Sequence, residues 1–215
     1  MKAPKTGTAV TAARRGRPGT RQKLDHLLAT AATLIARQGF QATAIRDVGR
    51  ETGSSLAGMY YYFKSKDDLL YQIQYRTFAS LLEEQQAIAA QPGTSLERFR
   101  RLLIGHLTFF ARHPSELKVC TYELESLQGD LFHEVEGLRR RYFALMAGVV
   151  AELVEGSPTD TAASRQSRYT TLFMFGMLNW VFMWYDARRD LPVEELGEEM
   201  LDLILHGIRR HGSAR

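Results

Sequence analysis

Cysteine is almost missing from this chain: Cys120 is the only one among 215 residues. An intrachain disulfide is therefore impossible, and a cysteine-rich zinc site is excluded. Cys120 reads as a buried small hydrophobe, with a redox-sensing thiol as the minor alternative. Long apolar runs are missing too. The longest, Leu172 to Tyr185, is interrupted by Asn179 and is shorter than the ~20 residues a membrane span needs. The basic N-terminal stretch has no apolar segment after its charges, so it does not read as a secretory leader. A soluble, cytoplasmic protein without a membrane partner is expected. No segment sustains the period-two alternation of a strand, so no sheet is expected. Enzyme signatures are also lacking: there is no GxSxG elbow, no GxGxxG after a strand and no GxxxxGK[ST] loop. His106, His113 and His133, with Glu123 and Glu125, do not have metal-ligand spacings. No catalytic residue, metal or resident cofactor is expected.

Acid is absent from the first 23 residues, which hold Lys2, Lys5, Arg14, Arg15, Arg17, Arg21 and Lys23. The chain's net charge is +4 and this arm alone carries +7, so the remainder stands at −3. A basic arm on a mildly acidic body points to a polyanionic partner at one end only. Residues 1–19 are rich in Lys, Arg, Thr, Ala and Gly and read as disordered in isolation. Within them Arg15-Gly16-Arg17-Pro18 resembles the core of an AT-hook, which implies that Arg15 and Arg17 lie along a narrow A·T minor groove. The plain alternative is a solubilising tail.

What is present is helical periodicity. Leu24, Leu27, Leu28, Ala31, Leu34 and Ile35 place a first helix over Thr20 to Gln38, stopped by Gly39. Thr43 is the expected N-cap of a short second helix whose apolar face is Ile45 and Val48. Gly53 breaks that helix and Ser55 caps a third, with Met59 and Phe63 inward. Ser55, Ala57, Gly58, Tyr60 and Tyr61 are left to point outward, as a helix entering a major groove requires. From Lys66 a long helix carries Leu69, Leu70, Ile73, Phe78, Leu81 and Leu82 on its inner face and ends at Gln91-Pro92-Gly93. Further helices are expected over Ser95–His113, Ser115 to about Gln128, Asp130–Glu155 and Thr161–Asp186. The last runs from Leu191-Pro192 to about Arg210. The fold class is all-α. Residues 20–66 form a three-helix helix-turn-helix head, and residues 67–215 form a helical ligand-binding and dimerisation body.

The run Gly53 to Lys66, continuing through Asp67-Asp68-Leu69-Leu70, resembles the DNA-binding signature of TetR/AcrR-type transcriptional regulators. Ala31, Ala32, Leu34, Ile35, Gly39, Phe40, Thr43 and Ile45 match that family's first helix and its exit. One departure is Ala57-Gly58, where the family often has Gly-Thr or Gly-Ser, so a hydroxyl that could touch DNA is missing. Roles on DNA then follow from position. Arg46 can reach a phosphate or a guanine edge. Ser55, Leu56, Ala57 and Gly58 lie where base edges are reached. Tyr60, Tyr61 and Lys66 are expected on phosphates, as the resemblance also implies, with Thr43 adding its amide and hydroxyl. Tyr62 and Phe63 read as core.

The aromatic stripe Phe173, Phe175, Trp180, Phe182, Trp184 and Tyr185 is either a helix packed on its neighbours or a wall of an apolar cavity. Asn179-Trp180 and Trp184-Tyr185, with Gly176 a turn before, resemble a TetR subgroup that senses acyl-coenzyme A thioesters. Arg139, Arg140 and Arg141 are solvated charge with Glu134 and Glu136, or else one of them binds an anionic group of a ligand. Arg188 and Arg189 have the same two readings. The effector is expected near Phe109, Tyr122, Arg139, Tyr142, Phe173, Trp180, Trp184 and Arg188. A homodimer is expected through the last two helices, with Val193, Leu196, Met200, Leu203, Ile204, Gly207 and Ile208 on one face.

These readings add up to a repressor that binds a palindromic operator as a dimer and is released by a hydrophobic effector, with an acyl-coenzyme A thioester as one candidate. The alternative is a repressor of an efflux or degradation operon that answers a free aromatic or lipophilic compound. A sequence-neutral DNA-packaging protein would not need so large an apolar body. A small-molecule binder without DNA would not need the arm and head. A helical enzyme would need converging acid, base or metal groups.

Overall fold

The computed structural model describes residues 18–155 and 165–207. Arg15, Arg17 and Ile208 lie outside them. Pro18 and Gly19, read from sequence as the end of the arm, already belong to the first helix.

The described residues form nine α-helices and two short 3-10 turns, with no strand among them. The head is α1 (Pro18–Gln38), α2 (Ile45–Glu51) and α3 (Leu56–Tyr62). Leu27, Ala31 and Ile35 of α1 meet Ile45 and Val48 of α2, Met59 of α3 and Phe63 in one buried cluster. Phe63 and Met59 are fully buried, and burying such a side chain contributes about 1.5–3 kcal/mol.

α4 (Lys66–Ala89) leaves the head and becomes the spine of the body. Around it stand α5 (Ser95–Arg112), α6 (Pro114–Tyr122), α7 (Gly129–Glu155), α8 (Arg165–Trp180) and α9 (Val193–His206). α4 packs on α5 and α7, α8 on α7, α9 on α5, and α6 reaches back onto α1. Thr94 caps α5 in a reciprocal box with Glu97, which accepts from the Thr94 amide at 2.7 Å.

Several expectations are corrected. Thr43 does not cap α2: Ala44 takes that place, and its amide donates to Asp47 Oδ2 at 3.0 Å. Thr43 is buried instead, its hydroxyl donating to Gly39 O at 2.9 Å. The helix expected from Ser115 to Gln128 begins one residue earlier, because Pro114 suits a first helical position, and it stops at Tyr122. A 3-10 turn, Leu124–Ser126, follows. The helix expected to reach Asp186 ends at Trp180, and a second 3-10 turn, Val181–Met183, takes the chain off the helical path. The last helix ends at His206, where Gly207 turns left-handed at φ 68°. Of its expected stripe, Val193, Leu196, Met200 and Ile204 are packed against the core of the same chain, with Gly197 pressed on Ile104, while Leu203 is exposed.

Candidate functional site

The helix-turn-helix of the head leaves several side chains exposed to solvent. The turn between α2 and α3 is locked because the Ser54 amide donates to Gly49 O at 2.8 Å. Gly49 is needed there: a Cβ would stand 2.8 Å from the Ser54 carbonyl oxygen. Gly53 supplies the left-handed corner at φ 64°. Ser55 then caps α3, its hydroxyl accepting from the Gly58 amide at 3.1 Å. With Met59 and Phe63 holding α3 down, Leu56, Ala57, Tyr60 and Tyr61 are left exposed, Tyr61 at 77%. Arg46 is exposed beside them on α2. All of these residues are solvent-exposed, and Ser55 and Gly58 stand at the start of α3. Two others are partly spent inside the head. Thr43 has its hydroxyl and its amide committed to Gly39 O and Phe40 O. Lys66 donates to Gln41 O at 3.0 Å and stands 4.3 Å over the Phe40 ring, which leaves two of its three N–H groups free.

The body holds a cavity of about 400 Å³ between α4, α5, α6, α7 and α8. This is at the lower end of the volumes that small-molecule pockets span. Its apolar wall includes Phe78, Leu81, Phe110, Leu117, Phe143 and Phe175. Of the eight effector residues expected from sequence, Arg139 and Tyr142 line it. Phe109 is buried next to it, against Phe110 and His113. Phe173, Trp180, Trp184 and Tyr122 are at least half exposed and are not part of the lining. Arg188 is an exposed cation paired with its neighbour Asp186 at 2.8 Å.

Sequence reasoning named Tyr142 but missed its polar partner in this cavity. His106 is 1% exposed, and its Nδ1 lies 2.7 Å from the Tyr142 hydroxyl. Burial pushes the imidazole down to about 3 and drives the Tyr142 phenol upward, so both are neutral. His106 Nε2 has no partner among the described residues. Cys120 also lines the cavity, and burial pushes its thiol up to about 12, so it is no thiolate at neutral pH. The signal for the missed wall was helical phase. On α8, Ser167, Thr171, Met174 and Leu178 form the buried ridge. Phe175 and Asn179 flank that ridge and line the cavity, while Phe173 and Trp180 sit on the far side.

Several contacts join the two regions, among them the Arg76–Asp25 ion pair at 3.1 Å and one made by Glu123. Glu123, just past α6, accepts from the Phe40 amide of the head at 3.0 Å through one carboxylate oxygen and from Ser126 Oγ at 2.8 Å through the other. Its own carbonyl accepts from Gln74 Nε2 of α4 at 2.9 Å. Leu117, Cys120 and Thr121 of the same α6 line the cavity.

Among the described residues no group of His, Cys, Asp and Glu could hold a metal, and no helix is long and apolar enough to cross a membrane. Residues 27–73 match the family of bacterial regulatory proteins, tetR family, and residues 92–208 match the tetracyclin repressor-like C-terminal domain. The transcriptional repressor KstR2 of Mycolicibacterium smegmatis is 27% identical, over 86% of this chain and 89% of its own length. A TetR-family transcriptional regulator from Bordetella parapertussis superposes with a TM-score of 0.79 at 27% identity, over 86% of this chain and 95% of that one. AibR, in complex with isovaleryl coenzyme A and operator DNA, shares the fold with a TM-score of 0.73 at 18% identity, over 84% of this chain and 97% of that one. With one match across the head and the other across more than half of the chain, this protein belongs to the TetR family of bacterial transcription regulators.

Proposed function

We propose that this protein is a repressor that holds a palindromic operator as a homodimer and lets go when a hydrophobic effector fills the body cavity. The observation that carries this reading is the link through Glu123. The helix that lines the cavity is tied by a carboxylate to the backbone of the head. A ligand that shifts α6 therefore shifts Phe40 and the helices it packs with. Such a ligand must prefer the shifted state, because tight binding to both states moves nothing.

Two heads are needed to read a palindrome with half-sites about 34–36 Å apart. Support for the dimer comes from apolar residues left uncovered on α8 and α9. Phe173 and Trp180 on α8 and Leu203 and Leu205 on α9 are exposed, Phe173 at 69%. A second copy would cover them. On DNA, Arg46 and Tyr61 hold phosphates and Ser55 to Gly58 approach base edges, with Arg15 and Arg17 in the flanking minor groove.

The finer reading of the effector is an acyl-coenzyme A thioester, the ligand class seen in AibR. The cavity has room for the acyl part, which gains roughly 0.8 kcal/mol per buried CH₂. The coenzyme would lie outside, near exposed cations such as Arg141. A free lipophilic or aromatic compound is the second reading, favoured by the small volume of the cavity. The test adds acyl-coenzyme A esters, the matching free acids and coenzyme A alone to the protein–operator complex. Release by thioesters only supports the first. Release by free compounds while every thioester is inert removes the thioester and keeps the repressor.

A further inference from the structure

The cavity is not equipped for a plain hydrocarbon. Beyond the Glu136–Arg140 ion pair, its polar lining includes His106 of α5, Thr121 of α6, Arg139 and Tyr142 of α7 and Asn179 of α8. The His106–Tyr142 pair carries two polar hydrogens, one on the neutral imidazole and one on the phenol. Only one can lie between Nδ1 and the hydroxyl oxygen, which are 2.7 Å apart. If the phenol donates to Nδ1, the hydrogen left over is on Nε2. If Nδ1 donates to the phenol oxygen, the hydrogen left over is on the phenol itself. Either tautomer leaves the pair one donor without an acceptor, and Nε2 is without a partner among the described residues.

The second unsatisfied group is a charge. Arg139 is half-buried at the cavity wall, 5.6 Å from the centre of the Phe78 ring, and makes no ion pair among the described residues. The adjacent carboxylate, Glu136, favours its charge through space but forms its ion pair elsewhere. Glu136 accepts from Arg140 at 2.8 and 3.1 Å, and its second oxygen faces His133 at 3.9 Å. Arg139 is thus a desolvated guanidinium facing a π system, and burial lowers its proton affinity. A half-buried cation without a counter-ion is costly unless a ligand supplies the charge. Arg139 and Tyr142 are three residues apart on one helix, so their side chains leave the same face of α7 about 5–6 Å apart at Cβ.

We infer that the buried end of the effector is a carboxylate, seated on Arg139 and accepting the spare hydrogen of the His106–Tyr142 pair, with an apolar body against Phe78, Phe110 and Phe175. The inference rests on the reading of this cavity as the effector site. It names the chemical class: a hydrophobic carboxylic acid, or an acyl group whose far end is a carboxylate. A simple alkyl chain leaves both Arg139 and the spare donor unpaired.

The test is calorimetric titration of the full chain with matched pairs of hydrophobic acids and their methyl esters: decanoate, phenylacetate and cyclohexanecarboxylate. At least one acid is expected to bind about tenfold or more tightly than its ester, as a charge-assisted hydrogen bond gives. In Arg139→Met that preference is expected to vanish while the melting temperature of the ligand-free protein stays level or rises, because an unpaired half-buried charge has gone. Should Arg139→Met fail to fold, Arg139→Gln gives the same readout. The inference is overturned if no acid outbinds its ester, including the case in which none binds, or if the preference survives in the Arg139 variant. An acid that binds as described but leaves the operator complex intact upholds this inference and defeats the release reading. A neutral ester that alone releases the operator does the reverse.

Discussion

The head turns its functional groups outward on a short rigid frame, whereas the body encloses them and leaves them short of partners. In the head, Gly49, Gly53 and Ser55 fix the turn, and each backbone demand is met within a few residues. Tyr61 and Arg46 face solvent, where water satisfies them at little cost. In the body, His106 and Tyr142 are buried, and Arg139 is half-buried and forms no ion pair among the described residues. The difference reflects the size of the partner. A DNA groove is large and brings its own charge, so exposed groups suffice. A small ligand can be recognised only where water is excluded, so its site must hold unsatisfied groups at a cost in stability.

The largest effect is expected from the core of the head. Phe63→Ala should cost about 3–5 kcal/mol and abolish operator binding. If ligand binding by the body survives, measured by calorimetry on the same variant, the two regions are separable. If both activities vanish together in urea titrations, head and body unfold as one unit and the contrast drawn between them fails.

Next comes acid. His106 is held near 3 in the folded state by burial, against about 6.5 in an unfolded chain. The unfolded chain therefore takes up the proton first. The contribution is complete above pH 6.5 and drains away as pH falls from 6.5 towards 3, at about 1.4 kcal/mol per unit. Between pH 7 and pH 5 the wild type should lose about 2 kcal/mol that His106→Gln does not lose. Parallel acid limbs for the two proteins would show that His106 is not held neutral by burial.

How much of this was legible in the sequence divides along the same line. The head was readable because its determinants are local. Gly53, Ser55, Met59 and Phe63 sit within one short stretch, and turn chemistry plus apolar spacing placed them. Even there Thr43 misled, since a threonine before a helix looks like a cap until Asp47 is seen to bind the Ala44 amide. The cavity was not readable because its lining comes from five helices, and only packing decides which face of each helix turns inward. On α8 the aromatic content drew attention to Phe173 and Trp180. The quieter ridge of Ser167, Thr171, Met174 and Leu178 sets the phase of the helix and turns those aromatics outward. His106 was visible as a residue, but its pairing with Tyr142, 36 positions away, depends on how α5 and α7 meet.

A smaller effect sharpens the enclosed side of the comparison. Tyr142→Phe strips the partner from His106 Nδ1 and should cost about 1–3 kcal/mol. Adding His106→Phe should cost less than the sum of the two single changes, because no orphaned polar atom remains. Simple additivity in urea midpoints would mean that the pair is not coupled. The smallest effect belongs to the exposed side. Arg46→Ala should leave stability within about 0.5 kcal/mol and lower the salt dependence of operator binding by about one phosphate equivalent. An unchanged salt slope would remove Arg46 from the phosphate face.

Binding linkage measures the coupling between cavity and head directly. The hydrophobic acid that binds most tightly is titrated into the free full-length protein and into the same protein saturated with operator. Coupling energies of about 1–3 kcal/mol correspond to roughly 5- to 150-fold in affinity, and the effect is reciprocal. Operator-bound protein is expected to take the acid at least about fivefold more weakly, and Glu123→Ala, which cuts the carboxylate link to Phe40, is expected to shrink this ratio towards one. Equal affinity for the acid with and without operator in the wild-type protein would contradict this coupling.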